Sequence, residues 1–186
     1  MYLLTETASP FALERWAAFF ANFGQFAKGF FYTLGISIGA LIVALLLGLI
    51  FGAMSSTHNK VLRGISRVYV EIFQNTPLLV QFVVVFYGIS ILTDGHVMIP
   101  ISLTAILCVG VYTGAYISEI IRTGIEAVPK GQTEAALSQG FTYADTMRII
   151  ILPQAVRTIL PPLTNQVVNL IKNTSTVAII SGADIM

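Results

Sequence analysis

Residues 29–57 carry no Asp, Glu, Lys or Arg, a run longer than the roughly 20 apolar residues with which a helix crosses the hydrocarbon core of a bilayer. Two further uncharged runs, 72–93 and 95–118, are also long enough to cross, the latter interrupted only by His96 near an expected loop. Such runs cannot be buried together in a water-soluble chain of 186 residues, and only 10% of the residues are charged, against about 25% in soluble domains. Ten Lys and Arg against nine Asp and Glu leave a formal charge of +1, with no excess to steer the chain onto nucleic acid. Cys108 is the one cysteine, so no disulfide framework and no multi-cysteine metal site can form within the chain. His58 and His96 stand apart without neighbouring ligands, and no metal site is expected.

The basic residues set the orientation. Lys60, Arg63 and Arg67 crowd the first long connection, and the connection around residues 94–100 has neither Lys nor Arg, so the first is expected in the cytoplasm and the second outside. The segment from Arg122 to Arg157, with Lys130 and Arg148, then returns to the cytoplasm and the N-terminus lies outside, although Arg15 and Lys28 run against that rule. The run 157–172 is short and holds Pro161, Pro162, Asn165, Gln166 and Asn169; if it crosses, it crosses inside protein. Before the first span, residues 1–28 form an extracytoplasmic or interfacial segment. Ser9 and Pro10 read as a cap and first turn, and Trp16, Phe19, Phe20 and Phe23 recur at helical spacing, as in a helix lying in the membrane interface or packed on the bundle. Gly35 and Gly39, Gly48 and Gly52, and Gly110 and Gly114 repeat a spacing that lets helix backbones approach closely, in an oligomer or a tight bundle.

Two features exceed what a membrane anchor needs. In the segment 126–153, Pro129 and Gly131 break the chain, residues 133–139 read as a short helix, and Gly140 closes it where left-handed geometry is wanted. Thr142 with Asp145 forms a capping pair for a second helix that stops or kinks at Pro153. Ala135, Ala136 and Ser138 are small enough for a partner surface to approach, as in a docking element. The second feature is polarity at membrane depth: Gln74, Asn75, Thr76 and Gln81, then Asn165, Gln166, Asn169, Lys172, Asn173, Thr174 and Ser175. Singly, each reads as interhelical hydrogen-bond glue. Together they read as a hydrated path, with Asn165, Asn169 and Lys172 on one helix face and a helix break at 173–176.

Glu134, Ala135, Ala136, Gly140, Ile150, Leu152 and Pro153 fit the pattern EAA, three residues, G, nine residues, I, one residue, LP. This resembles the EAA loop of bacterial ABC importer permeases. Asn75 to Gln81, then Tyr116, Glu119, Arg122, Gly124 and Ile125, then Lys172 to Ser175, are similar to the polar amino-acid uptake branch. The resemblance implies an all-α, polytopic transmembrane helix bundle of the type I importer permease class (MetI-like) over residues 29–186. About five crossings are then expected; four are found before Met186, so the last helix reads as missing. It also implies two permease subunits, identical or paralogous, two ABC ATPase subunits docked on the EAA loop, and an extracytoplasmic amino-acid-binding protein, in a bacterial cytoplasmic membrane. The chain has no Gly-x-x-x-x-Gly-Lys-Ser/Thr motif, so it is not expected to be an enzyme, and ATP and Mg belong to the ATPase.

A cationic cargo wants a carboxylate on its path, and residues 158–183 contain none. The position after Asn165, acidic in relatives that carry basic amino acids, is Gln166, so glutamine or glutamate is expected, with Lys172 as counter-charge. Glu119 and Arg122 read as a structural i, i+3 pair. The rivals are a secondary transporter or channel, which needs no docking loop and is usually built from an inverted repeat that is not visible here; an intramembrane enzyme, for which no nucleophile and base lie at membrane depth; and an assembly subunit without a path.

Overall fold

The computed structural model describes residues 13–179, and every regular element among them is helical. Ser9 and Pro10 lie outside the described residues. Two compact units are present, Met1–Gly35 and Ile36–Met186, with the division inside the first long helix.

In the first unit, α1 (Leu13–Ala21) is followed by the start of α2 (Phe23–Ser55). Phe19 packs its ring on those of Trp16, Phe20, Phe23 and Phe26, with centroids 4.9–6.2 Å away. The outer rings stay about half exposed or more.

The second unit is organised by α2 and α6 (Ile101–Glu126), the two described helices long and apolar enough to cross a membrane. Ala40, Ala44, Gly48 and Gly52 repeat every fourth residue along the buried face of α2. The small residues mesh in both directions. Gly39, Gly48 and Gly52 receive Ile106, Ile117 and Ile121 of α6, whereas Gly110 and Gly114 of α6 receive Val43 and Leu47 of α2. A Cβ on Gly110 would lie 2.8 Å from the Cβ of Val43 and 3.1 Å from the carbonyl of Ala40. The close-approach spacing thus serves packing within the chain; Gly35 faces no atom within 4 Å.

α3 (Lys60–Asn75) leans on this pair through side-chain contacts that include Ser66 and Tyr69. The Ser66 hydroxyl donates to the carbonyl of Phe51 at 2.7 Å, the Tyr69 hydroxyl donates to the carbonyl of Val111 at 2.7 Å, and the Phe51 and Tyr69 rings stack 4.0 Å apart.

The second apolar run does not form the single span its composition suggests. It breaks at Thr76–Pro77, where α3 gives way to α4 (Leu78–Val83), a π-helical turn (Val84–Gly88) and α5 (Ile89–Leu92), and the helix Lys60–Asn75 meets the segment Leu78–Leu92 at 98°. Pro77 lacks an N–H and pushes Thr76 into an extended conformation (φ −98°, ψ 123°). The carbonyls freed by the break are met by Gln81, whose buried amide donates to Phe73 at 3.1 Å and Thr76 at 3.0 Å.

After α6 come α7 (Lys130–Ser138), the short α8 (Tyr143–Asp145), a second π-helical turn (Thr146–Ile151) and α9 (Leu152–Asn173), which tightens into a 3-10 turn over Thr174–Ile179. α9 lies along α6, drawn close where Gly124 leaves room for Ile159. The core joins α2, α4, α6 and α9 through Ala44, Phe82, Val109, Ile117 and Leu170.

Candidate functional site

The helix expected over 133–139 starts earlier, behind Pro129, and runs over Lys130–Ser138. Its end is closed by a Schellman arrangement: the N–H of Phe141 bonds to the carbonyl of Ala136 at 3.2 Å and the N–H of Gly140 to that of Leu137 at 3.1 Å. Gly140 sits at φ +88°, the left-handed geometry for which glycine was expected. Thr142 caps the next helix as its spacing with Asp145 predicts, accepting from the Asp145 N–H at 3.2 Å and donating to the Asp145 carboxylate at 2.5 Å.

The helix does not stop at Pro153; its pitch changes there. The chain stays helical from Tyr143 to Asn173, with Thr146–Ile151 wound as a π-helix immediately before the proline. Proline cannot donate to the turn behind it, and the wider π turn absorbs the lost hydrogen bond without ending the helix. The Gln154 amide, one residue on, donates to the carbonyl of Ile150 at 2.8 Å and lies 3.5 Å from the Gln132 side-chain oxygen on α7. α7 therefore touches α9 both through the π turn and through this amide pair.

The seven loop residues divide by exposure. Glu134, Ala135, Gly140, Leu152 and Pro153 are exposed, Ile150 is half-buried, and Ala136 is buried against the chain itself. Ala135, Leu137, Ser138 and Gln139 form the open side of α7, whereas Ala136 faces inward. A cleft of about 710 Å³ lies behind the loop, lined among others by His58, Glu126, Lys130, Glu134 and Tyr143. Across it the His58 ring meets Tyr143 edge-on at 5.1 Å, a contact with no signal in the sequence because its partners are 85 positions apart.

The polar residues expected at membrane depth fall into two groups. Asn165, Asn169 and Lys172 lie on one exposed stripe of α9, Gln166 and Asn173 are half-buried beside it, and buried Thr174 donates to the carbonyl of Ile171 at 2.7 Å as α9 ends. The residues around the α3–α4 break are spent on structure. The Gln74 amide donates to the carbonyl of Ala115 on α6 at 3.2 Å and that of Asn75 to the carbonyl of Glu71 at 2.8 Å. Among the described residues, no hydrogen bond joins Gln74 or Asn75 to the α9 stripe. Gln81 was readable as polar but not as the brace of a bend, because nothing local shows that Pro77 turns the chain by 98° rather than kinking it.

Arg122 forms the pair expected with Glu119, its Nε donating to the carboxylate at 2.9 Å and a second guanidinium nitrogen closing the fork, and it adds Glu126 at 2.6 Å. Among the described residues no cluster of three His, Cys, Asp or Glu side chains is placed to hold a metal.

A family model described as "Binding-protein-dependent transport system inner membrane component" matches residues 44–184. The chain is 41% identical over 170 residues to "Probable glutamine ABC transporter permease protein GlnM" of Bacillus subtilis (strain 168), covering 90% of this chain and 76% of that protein. It is 36% identical over 171 residues to "Glutamate/aspartate import permease protein GltJ" of Escherichia coli (strain K12), covering 87% and 70%. A solved structure titled "Crystal structure of an amino acid ABC transporter with histidines" superposes with a TM-score of 0.82 at 34% identity, covering 91% of this chain and 78% of that one.

Proposed function

This chain belongs to the family of binding-protein-dependent transport system inner membrane components, and from that premise we propose that its segment 126–153 couples an ATPase to a path for glutamine or glutamate. It is a membrane permease subunit of a polar amino-acid ABC importer, with the helical fold of that class. What remains is how the parts are used.

The observation that carries the coupling role is the geometry of α7. It is a nine-residue helix closed by a glycine turn, open on the side of Ala135 and Leu137, and fastened on the other to the π turn that begins α9. Small Ala135 lets a partner surface approach, and Leu137, 47% exposed, offers an apolar anchor. A pull on α7 is passed to α9 through the packed π turn and the Gln132–Gln154 contact, so the loop moves with the helix that carries the polar stripe. Two ATPase subunits hold ATP and Mg and hydrolyse the nucleotide; this chain contributes position and movement. A second permease copy or a paralogue completes the path, an extracytoplasmic binding protein delivers the amino acid, the coupling loop lies in the cytoplasm, and the N-terminus lies outside.

The stripe of Asn165, Asn169 and Lys172, with Gln166 beside it, presents amides and one cation without a carboxylate. That chemistry suits an α-amino acid with a neutral amide or acidic side chain better than a cationic one. The glutamine and glutamate/aspartate names of the two relatives support the same class.

The test is co-purification of the tagged protein from its host in mild detergent, with ATPase activity measured in reconstituted membranes with the binding protein, with and without glutamine and glutamate. Recovery of a Walker-motif subunit whose activity rises with one of these amino acids is the expected result. A preparation free of any ATPase overturns the coupling role.

A further inference from the structure

Between Ser55, the last residue of α2, and Lys60, the first of α3, the connection is the four residues 56–59. It is fastened to the helix on each side. The hydroxyls of Ser55 and Ser56 both donate to the carbonyl of Gly52, at 2.7 and 3.0 Å, and hold the chain as it leaves α2. At the other end the Asn59 side chain accepts from the N–H groups of Val61 and Leu62, at 2.9 and 3.3 Å, and caps α3. A connection this short, bonded at both ends, has little slack, so a displacement of His58 passes into the two helices instead of being lost in a loop. Both helices belong to the frame of the bundle. Gly52 of α2 receives Ile121 of α6, and Ser66 of α3 bonds to the carbonyl of Phe51.

The His58 ring stands edge-on to that of Tyr143, with centroids 5.1 Å apart and planes at 80°. Tyr143 is the first residue of α8, directly behind the Thr142 cap, and belongs to the same continuous helical run as the π turn on which α7 packs. Ser56 and His58 line the cleft behind the loop together with Lys130 and Glu134 of α7. The ring pair therefore bridges that cleft and joins the segment 126–153 to the ends of α2 and α3. His58 is exposed and Tyr143 is 45% exposed, so the contact adds little to the stability of the fold. An edge-on pair is attractive, the positive rim of one ring lying against the negative face of the other, and it carries a pull as well as a push.

We propose that His58 is a positioning residue through which movement of the segment 126–153 reaches α2 and α3, acting by the contact of its ring with Tyr143. The inference rests on the coupling role proposed above and adds a second branch to it: the π turn moves α9, and His58 moves the ends of α2 and α3. With the ring contact removed, α9 still follows the ATPase while α2 and α3 lag. Hydrolysis then continues with fewer amino acids moved for each ATP.

The experiment reconstitutes the complete importer, with its ATPase and binding protein, in proteoliposomes and measures glutamine and glutamate taken up per ATP hydrolysed. His58→Ala and Tyr143→Ala should each lower that ratio by about threefold or more, with the yield of co-purified ATPase unchanged. The double variant H58A/Y143A should be no worse than either single one, because the two residues share one contact. His58→Phe and Tyr143→Phe keep the ring and should restore the ratio. His96→Ala, which removes the exposed histidine of the connection 94–100, should match the wild type. An unchanged ratio in both single variants, or losses that multiply in the double variant, overturns the bridge. A fall in ATPase yield that parallels the fall in uptake makes the ring pair part of the docking surface and overturns it as well. Wild-type protein that recovers no ATPase overturns the coupling role itself, whereas wild type with ATPase and unaffected variants overturns the bridge alone.

Discussion

Ile117 of α6 fills the notch that Gly48 leaves in the face of α2, so closely that a Cβ on Gly48 would overlap its side chain. Both residues are buried in the core that α2 and α6 build together. The contact sets how near the two spanning helices approach, and hence the frame on which α3 and α9 rest.

Gly48→Val should therefore destabilise the fold by about 1–3 kcal/mol, the usual cost of overpacking, and Ile117→Ala in the same chain should recover part of that loss. Thermal unfolding in detergent measures both. Gly35→Ala, with no atom near the added methyl, is the control and should lie within about 0.5 kcal/mol of wild type. Equal effects at the two glycines would mean that the notch does not govern packing.

Gly140→Ala places a Cβ at φ +88°, a conformation that costs an ordinary residue about 1–2 kcal/mol. The strain is local to the end of α7, so ATPase co-purification should fall while membrane insertion and the unfolding temperature of the α2–α6 core stay close to wild type. Gly140→Asn should keep more of the interaction, since Asn adopts left-handed geometry more readily. An undiminished ATPase yield in Gly140→Ala would show that the loop docks nothing.

Gln81→Leu removes the two hydrogen bonds that hold the carbonyls of Phe73 and Thr76 at the α3–α4 bend. Leaving part-buried carbonyls unmet costs up to about 1–3 kcal/mol, and the bend should open. Cysteines introduced on α3 and α4 across Thr76–Pro77, labelled for distance measurement, should report a broader distribution in the variant than in wild type. An unchanged distribution would mean that Pro77 alone sets the angle.

Lys172→Met removes the one cation from the exposed α9 stripe. Uptake of glutamate should fall by roughly tenfold, as for one lost favourable charge contact, while glutamine uptake falls less, because an amide keeps Asn165 and Asn169 as partners. Competition between the labelled amino acids in proteoliposomes containing the ATPase and binding protein reads the ratio directly. Equal losses would place Lys172 in the structure of α9 and not on the path.

The turn chemistry was legible because it is local. The conformation of Gly140 and the cap at Thr142 each follow from residues within one turn of helix, and the structure returns both. The same locality explains the misses. Pro153 predicts a stop or kink, but whether the lost hydrogen bond ends the helix or is absorbed as a π turn depends on what holds α9 in place beyond it. Ala136 reads as one of a run of small residues open to a partner, yet its place on the inward side of α7 makes it the buried one. Gln81 is equally polar in the sequence whether it faces water or ties off a bend.

What the sequence determined by itself was the class of solvent and the local devices: uncharged runs that only a bilayer accepts, a glycine where φ turns positive, a capped restart, and a loop pattern shared with importer permeases. Tertiary structure alone decided the pairings: which isoleucine enters which glycine notch, the 98° turn between α3 and α4, and which polar groups are spent on backbone carbonyls while Asn165, Asn169 and Lys172 stay exposed. The reason is that hydrophobic periodicity and capping act over one or two turns of chain, whereas a side chain's role is set by the atoms it meets, and in this fold those atoms lie tens of residues away.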